Sequence, residues 1–353
     1  MPLPTTTIGA YPKPDYLPFR DWFTVDHGMT DAGGEVTRNY TKAMAAADAE
    51  TEALFDRATQ EAVADQMAAG IDIPTDGEQR RENYIHYHCR HLTGFDFENL
   101  TARVLRDGAY EAELPTIRGK IAPKGQHFLP ADYKSAQDHA DRQVKLTVPG
   151  PLTIMDTCVD AHYEDRAALA RDLGDALNHE IRALADAGCT YIQLDEPLFA
   201  RNVDEALEFG IDGLDRCFHK VPADVTRVMH MCCGYPNHLD DTEYHKADPG
   251  SYFRLADGID QSSIHQVSIE DAHRHNDLSL LERFANSSVI FGAVAIAQSD
   301  VEPVEAIVDR LRLALNHIDK DRLIAAPDCG LGLLGRDLAR AKLAQLCEAA
   351  KLV

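Results

Sequence analysis

The chain has 353 residues, of which 44% are hydrophobic and 26% are charged, and both values are ordinary for a folded globular protein. Its net charge of −23, from 58 acidic and 35 basic residues, argues against nucleic acid or an anionic membrane as a partner, because both attract basic surfaces. The sequence shows no apolar run of about 18 residues and no secretory signal, so we expect a cytoplasmic protein without a membrane span.

Eight short β-type segments alternate with longer amphipathic segments along the chain. The predicted strands cover 5–11, 70–78, 144–150, 191–197, 227–234, 265–271, 289–297 and 323–330. The predicted helices cover 36–69, 164–187, 203–218, 249–258, 277–285, 303–318 and 335–351. In the helix at 164–187, Ala and Leu recur every three or four residues, which marks one face for burial, and Gly188 follows where the helix should end.

This alternation predicts a single (β/α)8 barrel, or TIM barrel, that spans residues 1–353. The stretch 79–143 is rich in loops and partly charged, so we interpret it as an insertion after strand 2 that surrounds a helix, rather than as a separate domain. A doubly wound open sheet is the alternative fold, but no glycine-rich phosphate-binding motif follows any of the strands.

Ionisable residues stand at the ends of most predicted strands, which is where a barrel of this kind carries its active site. Apolar strands that end in charged groups are costly unless those groups are used, because burying an unpaired charge is unfavourable. These strand-end residues are Asp76, Glu78, Asp195, Glu196, His230, Cys232, Glu270, Asp271, Asp328 and Cys329.

The segment VMHMCCG contains the most informative strand end. His230 and Cys232 are two residues apart on a strand, so their side chains project to the same face, whereas Cys233 projects to the other. If the sheet closes, Glu270 and Cys329 can join them in a ligand set that suits Zn²⁺ in softness and geometry. The alternative is that His230 and Cys232 are core residues and that Cys329 is an inert buried thiol.

Two thiolate ligands would make a bound zinc ion electron-rich and therefore a poor Lewis acid for hydrolysis. Such an ion is better suited to binding a substrate thiol and lowering its pKa, which produces a nucleophile for an alkyl carbon. The ligand set therefore predicts alkyl transfer to sulfur, with Glu270 as the ligand most able to yield its place.

Seven motifs resemble, in the same order, the catalytic domain of the cobalamin-independent methionine synthase family. They read TTTIGAYPKP, TDGEQRREN, LTVPGPLT, YIQLDEPLFA, HMC, VSIE and APDCGL, and together they span nearly the whole chain. The resemblance implies a (β/α)8 barrel and a zinc-dependent S-methyltransferase that converts homocysteine to methionine.

The resemblance also implies which residues form the site. The family's zinc ligands match four residues, namely His230, Cys232, Glu270 and Cys329. Glu78 and Asp195 match the catalytic-site carboxylates that bind the amino group of homocysteine. The first-strand residues Ile8, Gly9 and Ala10 match the segment that binds its carboxylate.

Departures from the family's pattern concern mainly the methyl donor. The chain starts directly at the catalytic barrel and so resembles a short core type, for which a corrinoid protein is an alternative donor to 5-methyltetrahydrofolate. Ala10 stands where the family has a serine, and Ala297 and Gln298 replace the family's histidine on the seventh strand. The tryptophan that packs on the pterin is absent after Pro151, and the only tryptophan, Trp22, lies elsewhere in the sequence.

Two other functions stay open. Epoxyalkane:coenzyme M transferase is a relative with the same zinc chemistry, and the basic stretch 78–91 could bind the sulfonate of coenzyme M. The arginines of that stretch could instead pair with surface acids, and the carboxylates of Glu78 and Asp195 favour an ammonium on the substrate. A non-catalytic homologue that binds zinc and a thiol is the third alternative.

Overall fold

The structure is a computed structural model that describes residues 1–23, 32–105, 110–241 and 244–353. The first elements are α1 (Ala32–Ala45), α2 (Ala49–Ala69), α3 (Tyr84–Cys89), β1 (Phe95–Leu105), β2 (Tyr110–Ile117) and α4 (Leu129–Gln137). They are followed by β3 (Leu146–Pro149), α5 (Pro151–Asp156), β4 (Val159–Asp160), α6 (Arg166–Asp186), β5 (Tyr191–Asp195), α7 (Val203–Glu205), a π-helical turn (Ala206–Gly210) and α8 (Ile211–Cys217).

The last third of the chain continues the alternation. It contains β6 (Thr226–Met231), α9 (Ser251–Asp260), β7 (Gln266–Ile269), a 3-10 turn (Leu278–Arg283), β8 (Ser288–Val294), α10 (Val304–Ala314), a second 3-10 turn (Lys320–Arg322), β9 (Leu323–Pro327) and α11 (Arg336–Leu352). None of the helices within the described ranges is long and apolar enough to cross a membrane.

Six strands form one parallel sheet, in the order β3-β5-β6-β7-β8-β9. This order follows the chain, as successive βα units with short connections require. Isolated parallel bridges extend the pairing beyond both edge strands, at Thr5–Ala325, Thr6–Ile73 and Thr75–Lys145. The molecule therefore has a mixed α/β fold built around a parallel sheet, and the ends of its strands all lie on one side.

Helix α6 shows why the sequence forms these layers. Its buried residues include Leu173, Leu177, Ile181 and Leu184, which recur every three or four positions and so share one face. The predicted helix end at Gly188 is confirmed, because Gly188 has a φ of +97° and its N–H donates to the carbonyl of Ala185. All four residues of β3 and all five of β9 are buried, as expected for strands that are covered on both faces.

Some predicted helices differ from the structure. The single helix predicted at 36–69 is two helices, because the Asp48 side chain accepts hydrogen bonds from the N–H groups of Glu50 and Thr51 and so begins α2. The helix predicted at 277–285 is only the 3-10 turn at Leu278–Arg283. Both predictions were wrong because they relied on the spacing of apolar residues alone. That spacing continues across positions where local hydrogen bonds end a helix or tighten it into a 3-10 turn.

The first two predicted strands, at 5–11 and 70–78, are reduced to the isolated bridges. The stretch 79–143 contains more regular structure than predicted, because β1 and β2 form an antiparallel hairpin between α3 and α4. Strand β2 also pairs in parallel with the short β4. Residues 106–109 of this stretch lie outside the described part of the chain.

A buried lysine precedes β3 and should lower the stability of the protein. The Lys145 side chain is 1% exposed, and its Nζ has no hydrogen-bond partner in the described part of the chain. Burial lowers the pKa of Lys145 to about 7. Since an unfolded lysine has a pKa of about 10.4, the unfolded chain binds more protons between these values, and the stability of the wild type rises with pH across that window.

We therefore expect Lys145→Met to raise the free energy of unfolding at pH 7, by about 1 to 4 kcal/mol. The gain should shrink towards pH 10, because the neutral amine then costs the wild type little. Thermal unfolding at both pH values measures this, with the exposed Lys351→Met variant as the control. A gain that is the same at pH 7 and pH 10 would contradict the burial argument.

Candidate metal and substrate site

A pocket opens where the strands end. It contains all of the predicted site residues except Glu270, namely Ile8, Gly9, Ala10, Glu78, Asp195, His230, Cys232 and Cys329. The register of the sheet explains part of this convergence, because Asp195 of β5 pairs with His230 of β6, and His230 pairs with Ser268 of β7. Residues far apart in the sequence thus reach one pocket because neighbouring parallel strands end at the same level.

Three potential metal ligands lie together in this pocket, and we call His230, Cys232 and Cys329 the metal triad. Their ligand atoms all lie within 4.8 Å of one another. His230 Nε2 is 3.2 Å from Cys329 Sγ, while His230 Nδ1 is 3.0 Å from the hydroxyl of Ser268. The Ser268 contact orients the ring and leaves Nε2 directed at the two sulfur atoms, as in protein metal sites whose histidine is held by a second hydrogen bond.

The two cysteines of the metal triad shift each other's pKa in opposite directions. A hydrogen bond with Cys329 lowers the pKa of Cys232 well below its ordinary value, and the same bond raises the pKa of Cys329. A lowered pKa favours the thiolate of Cys232, and thiolates are the form of cysteine that binds metals. One imidazole and two sulfur ligands in a buried pocket therefore fit a zinc ion.

Glu270, the fourth predicted ligand, is engaged elsewhere. Its Oε1 accepts a hydrogen bond from Lys246 Nζ at 2.9 Å, and its Oε2 accepts one from the backbone N–H of Cys233 at 3.1 Å. Burial raises the pKa of the Cys233 thiol to about 12, which keeps that thiol neutral. The structure thus brings three of the four predicted ligands together, while Glu270 as a ligand stays a prediction.

Two buried carboxylates lie beside the metal triad. Glu78 Oε1 accepts a hydrogen bond from the Thr147 hydroxyl at 2.8 Å, and Asp195 Oδ1 accepts one from Gln193 Nε2 at 2.7 Å. Burial, and to a smaller extent the nearby charge of Glu78, raise the pKa of Asp195 to about 7. Two neighbouring buried carboxylates are mutually unfavourable, so a substrate cation placed between them would be stabilised.

The backbone conformation at Glu78 and the glycine at position 9 together determine where the Glu78 side chain lies. Glu78 has a φ of +56°, in the left-handed region that non-glycine residues rarely adopt and that occurs at functional sites. A Cβ atom on Gly9 would lie 2.6 Å from Glu78 Oε1. Only glycine at position 9 therefore lets the Glu78 carboxylate approach the first segment of the chain.

Several ionisable strand ends have structural roles instead. Glu196 accepts hydrogen bonds from two backbone N–H groups at the start of α5, and Asp328 accepts three from the backbone of residues 271–273. Asp271 and Asp76 each pair with an arginine, at 2.6 and 3.2 Å. An ionisable residue at the end of a strand can therefore belong to a functional site or can cap a turn of the backbone. The type of the residue has to distinguish between these two roles.

The basic stretch 78–91 is also structural in part. Its arginines all pair with carboxylates of the chain, in the pairs Arg80–Glu52, Arg81–Asp76 and Arg90–Glu82. His86 and His88 are buried, and burial lowers the pKa of His86 to about 4. These contacts match the alternative given for this stretch, in which its arginines pair with acidic side chains of the chain and not with the sulfonate of coenzyme M.

Sequence reasoning missed one wall of the pocket, which is aromatic. The ring centroids of Trp22 and Tyr84 are 5.6 Å apart, those of Trp22 and Phe23 are 5.4 Å apart, and those of Phe23 and Tyr235 are 5.3 Å apart. Arg201 lines the same pocket, and its Nε has no hydrogen-bond partner in the described ranges. The segment that carries Trp22 lies outside any predicted strand or helix, so no sequence pattern indicated this contact.

Comparison with known proteins identifies the family. Residues 3–352 match the family described as "Cobalamin-independent synthase, Catalytic domain". The chain belongs to the cobalamin-independent methionine synthase family. The resemblance that the seven motifs indicated is therefore confirmed over nearly the whole chain.

Individual members of this family align along almost their full length. The chain is 28% identical to a methionine synthase of Sulfolobus acidocaldarius, over 99% of this chain and 92% of that protein. It is also 28% identical to a methionine synthase of Pyrococcus abyssi, over 99% and 93%. The structure of a B12-independent methionine synthase from Shewanella sp. W3-18-1 in complex with selenomethionine matches with a TM-score of 0.86 and 28% identity, over 100% of this chain and 98% of that one.

Proposed function

We propose that this protein is a zinc-dependent enzyme that transfers a methyl group to the thiol of homocysteine and so forms methionine. The observation that carries the proposal is the metal triad, whose ligand atoms lie within 4.8 Å of one another in a pocket that also holds Glu78 and Asp195. The archaeal methionine synthases and the selenomethionine bound to the Shewanella protein support the same acceptor.

We also propose that the parallel sheet closes into a (β/α)8 barrel, with 79–143 as an insertion in a single domain. The isolated bridges support closure, because the segments at 5–6 and 73–75 would then stand between β9 and β3. Closure would explain how Cys329, which follows β9, and Glu78, which follows the second segment, line one pocket with residues of β5 and β6.

Each half of the pocket has a role in this proposal. A zinc ion bound by the metal triad would supply the positive charge that keeps a substrate thiol deprotonated near neutral pH. Ser268 orients His230 for that ligand set. Glu78 and Asp195 would hold the ammonium group of homocysteine, and the backbone at Ile8, Gly9 and Ala10 would hold its carboxylate, so that the thiol is directed at the metal triad.

The methyl donor in this proposal is either 5-methyltetrahydrofolate or a methylcorrinoid. The aromatic wall that contains Trp22 and Tyr84 offers a flat apolar surface against which a planar carrier could stack. Because Trp22 is the only tryptophan of the chain, its fluorescence reports directly on a donor that enters the pocket.

We also propose that the protein is located in the cytoplasm.

The experiment combines metal analysis with a panel of substrates. The purified protein is expected to contain about one zinc ion per chain and to form methionine from homocysteine with one of the two donors. The donor that supports turnover should also change the fluorescence of Trp22. Consumption of an epoxide with coenzyme M, and no methionine, would instead assign the protein to the coenzyme M alternative. Binding of zinc and thiol without turnover of any donor would identify a non-catalytic homologue.

A further inference from the structure

A second group of potential metal ligands lies outside the pocket, and we call His127, His179 and Glu180 the histidine cluster. Their ligand atoms all lie within 4.8 Å of one another, as those of the metal triad do. None of the three residues lines the pocket, and none belongs to one of the seven motifs. The histidine cluster is therefore a separate feature of the molecule, which the proposed methyl transfer does not use.

The fold brings the histidine cluster together from two segments that are distant in the sequence. His127 lies just before α4, whereas His179 and Glu180 lie on α6. The carboxylate of Glu180 is held in place, because its Oε2 accepts the backbone N–H of Phe128 at 3.2 Å and its Oε1 lies 2.9 Å from His127 Nδ1. Only 5% of the Glu180 side chain is exposed, so one of the three potential ligands is firmly positioned.

The two imidazole rings lie against each other beside this carboxylate. Their centroids are 4.3 Å apart, and their planes are inclined by 26°. The Nε2 atom of His179 is buried and has no hydrogen-bond partner among the described residues. A buried nitrogen without a partner costs free energy, and coordination to a metal ion would offset that cost. The His127 side chain is 40% exposed, so an ion can reach the histidine cluster from solvent.

We propose that the histidine cluster is a second metal site, which binds a divalent transition-metal ion such as Zn²⁺ through two imidazoles and one carboxylate. Zinc, copper and nickel ions all accept imidazole ligands. Two ligand atoms that each lie about 2.1 Å from a tetrahedral zinc ion are roughly 3.4 Å apart. The contact of 2.9 Å between His127 and Glu180 therefore has to widen only slightly, and a water molecule can complete the coordination. This inference goes beyond the proposed function and does not depend on it.

The position of the histidine cluster indicates what a bound ion would do. Helix α4 belongs to the stretch 79–143, which we interpret as an insertion, whereas α6 follows that stretch. An ion held by His127 on one side and by His179 and Glu180 on the other would tie the end of the insertion to α6. A ligand that binds only the folded protein stabilises it, so we expect the ion to stabilise the contact between these two segments.

The first test counts bound zinc by equilibrium dialysis of the purified full chain against micromolar free Zn²⁺. We expect the wild type to bind one equivalent more than His127→Ala or His179→Ala does. His317→Ala is the matched control, because His317 also pairs with a carboxylate, that of Glu282 at 2.7 Å, but belongs to no group of three potential ligands in the described part of the chain. The control should bind as much zinc as the wild type.

Co²⁺ distinguishes the histidine cluster from the metal triad. The metal triad contains two sulfur ligands and should give a thiolate-to-cobalt absorption, whereas the histidine cluster offers only nitrogen and oxygen. His127→Ala should therefore lose an equivalent of Co²⁺ and keep the thiolate absorption. Loss of the thiolate absorption in the wild type would contradict the proposed function and leave the second site untouched.

Thermal unfolding in the Cys329→Ser background measures the stabilising effect of the histidine cluster alone. Zn²⁺ should raise the Tm of Cys329→Ser by a few degrees when its free concentration is about 100 times the dissociation constant. The same addition should leave the Tm of Cys329→Ser/His127→Ala unchanged.

The inference is wrong if His127→Ala binds as much zinc as the wild type, which is the result expected where a water molecule is the partner of His179 Nε2. It is also wrong if His317→Ala loses the same equivalent, because surface histidines would then be binding zinc without a built site. Since the His127 side chain is partly exposed, its removal should not unfold the protein, and this variant decides if His179→Ala does not fold.

Discussion

Cys329→Ser is expected to lose the bound metal and all measurable methyl transfer, while the protein stays folded. Serine is not deprotonated near neutral pH and is a poor ligand for zinc, so the metal triad would be left with His230 and Cys232. Because loss of a residue next to a ligand already costs about 10- to 100-fold in metal affinity, loss of a ligand should cost more than about 100-fold. Cys329 follows β9 in the pocket and is partly exposed, so the sheet should persist without its sulfur.

Metal content and thermal unfolding of the purified variant measure these two effects separately. Cys347→Ala is the control, because Cys347 is buried in α11 and is not among the residues that line the pocket. That variant should keep its zinc, although it loses some stability. Methyl transfer by a metal-free preparation of either variant or of the wild type would refute the role of the metal triad.

Asp195→Asn is expected to weaken the binding of amino-acid thiols selectively. Asp195 is buried beside Glu78, and its proposed partner is the ammonium group of homocysteine. Replacing the carboxylate by an amide of the same shape removes a charge-assisted hydrogen bond worth about 1.5 to 3 kcal/mol, which corresponds to roughly a 10- to 100-fold loss of affinity.

The comparison uses homocysteine and 4-mercaptobutyrate, which has the same carbon chain and thiol but no amino group. Only homocysteine should bind more weakly to Asp195→Asn, and the exposed Asp204→Asn variant should bind both thiols as the wild type does. If both thiols lose affinity equally in Asp195→Asn, the carboxylate does not recognise an ammonium group and its role is structural.

The sequence predicted correctly those elements of the fold whose apolar pattern lies entirely within the element itself. Each of the six strands of the sheet falls within or within one residue of a predicted segment, because a covered parallel strand is a short, continuously apolar run. His230 and Cys232 could be paired from sequence because residues two apart on a strand share a face. The hairpin of β1 and β2 was missed because its strands carry many charged residues and lie outside the alternation of strands and helices.

The parts of the site that could not be predicted depend on contacts between distant segments. Glu270 was placed correctly at the end of β7, yet the partner that orients its carboxylate is Lys246, in a segment without regular structure. Trp22 likewise reaches the pocket through a segment that has no periodic pattern. A sequence pattern reports which face of an element is buried, whereas the position of a side chain in a loop is determined by what the loop packs against.

Asp328 stands immediately before Cys329 and binds the backbone of residues 271–273, immediately after Glu270. This carboxylate links the segments that follow β7 and β9 through three hydrogen bonds, so we expect a shift of one segment to move the other. Introducing the metal triad into a different parallel sheet would consequently require a carboxylate that links two strand ends by hydrogen bonds, as Asp328 does, in addition to the three ligands.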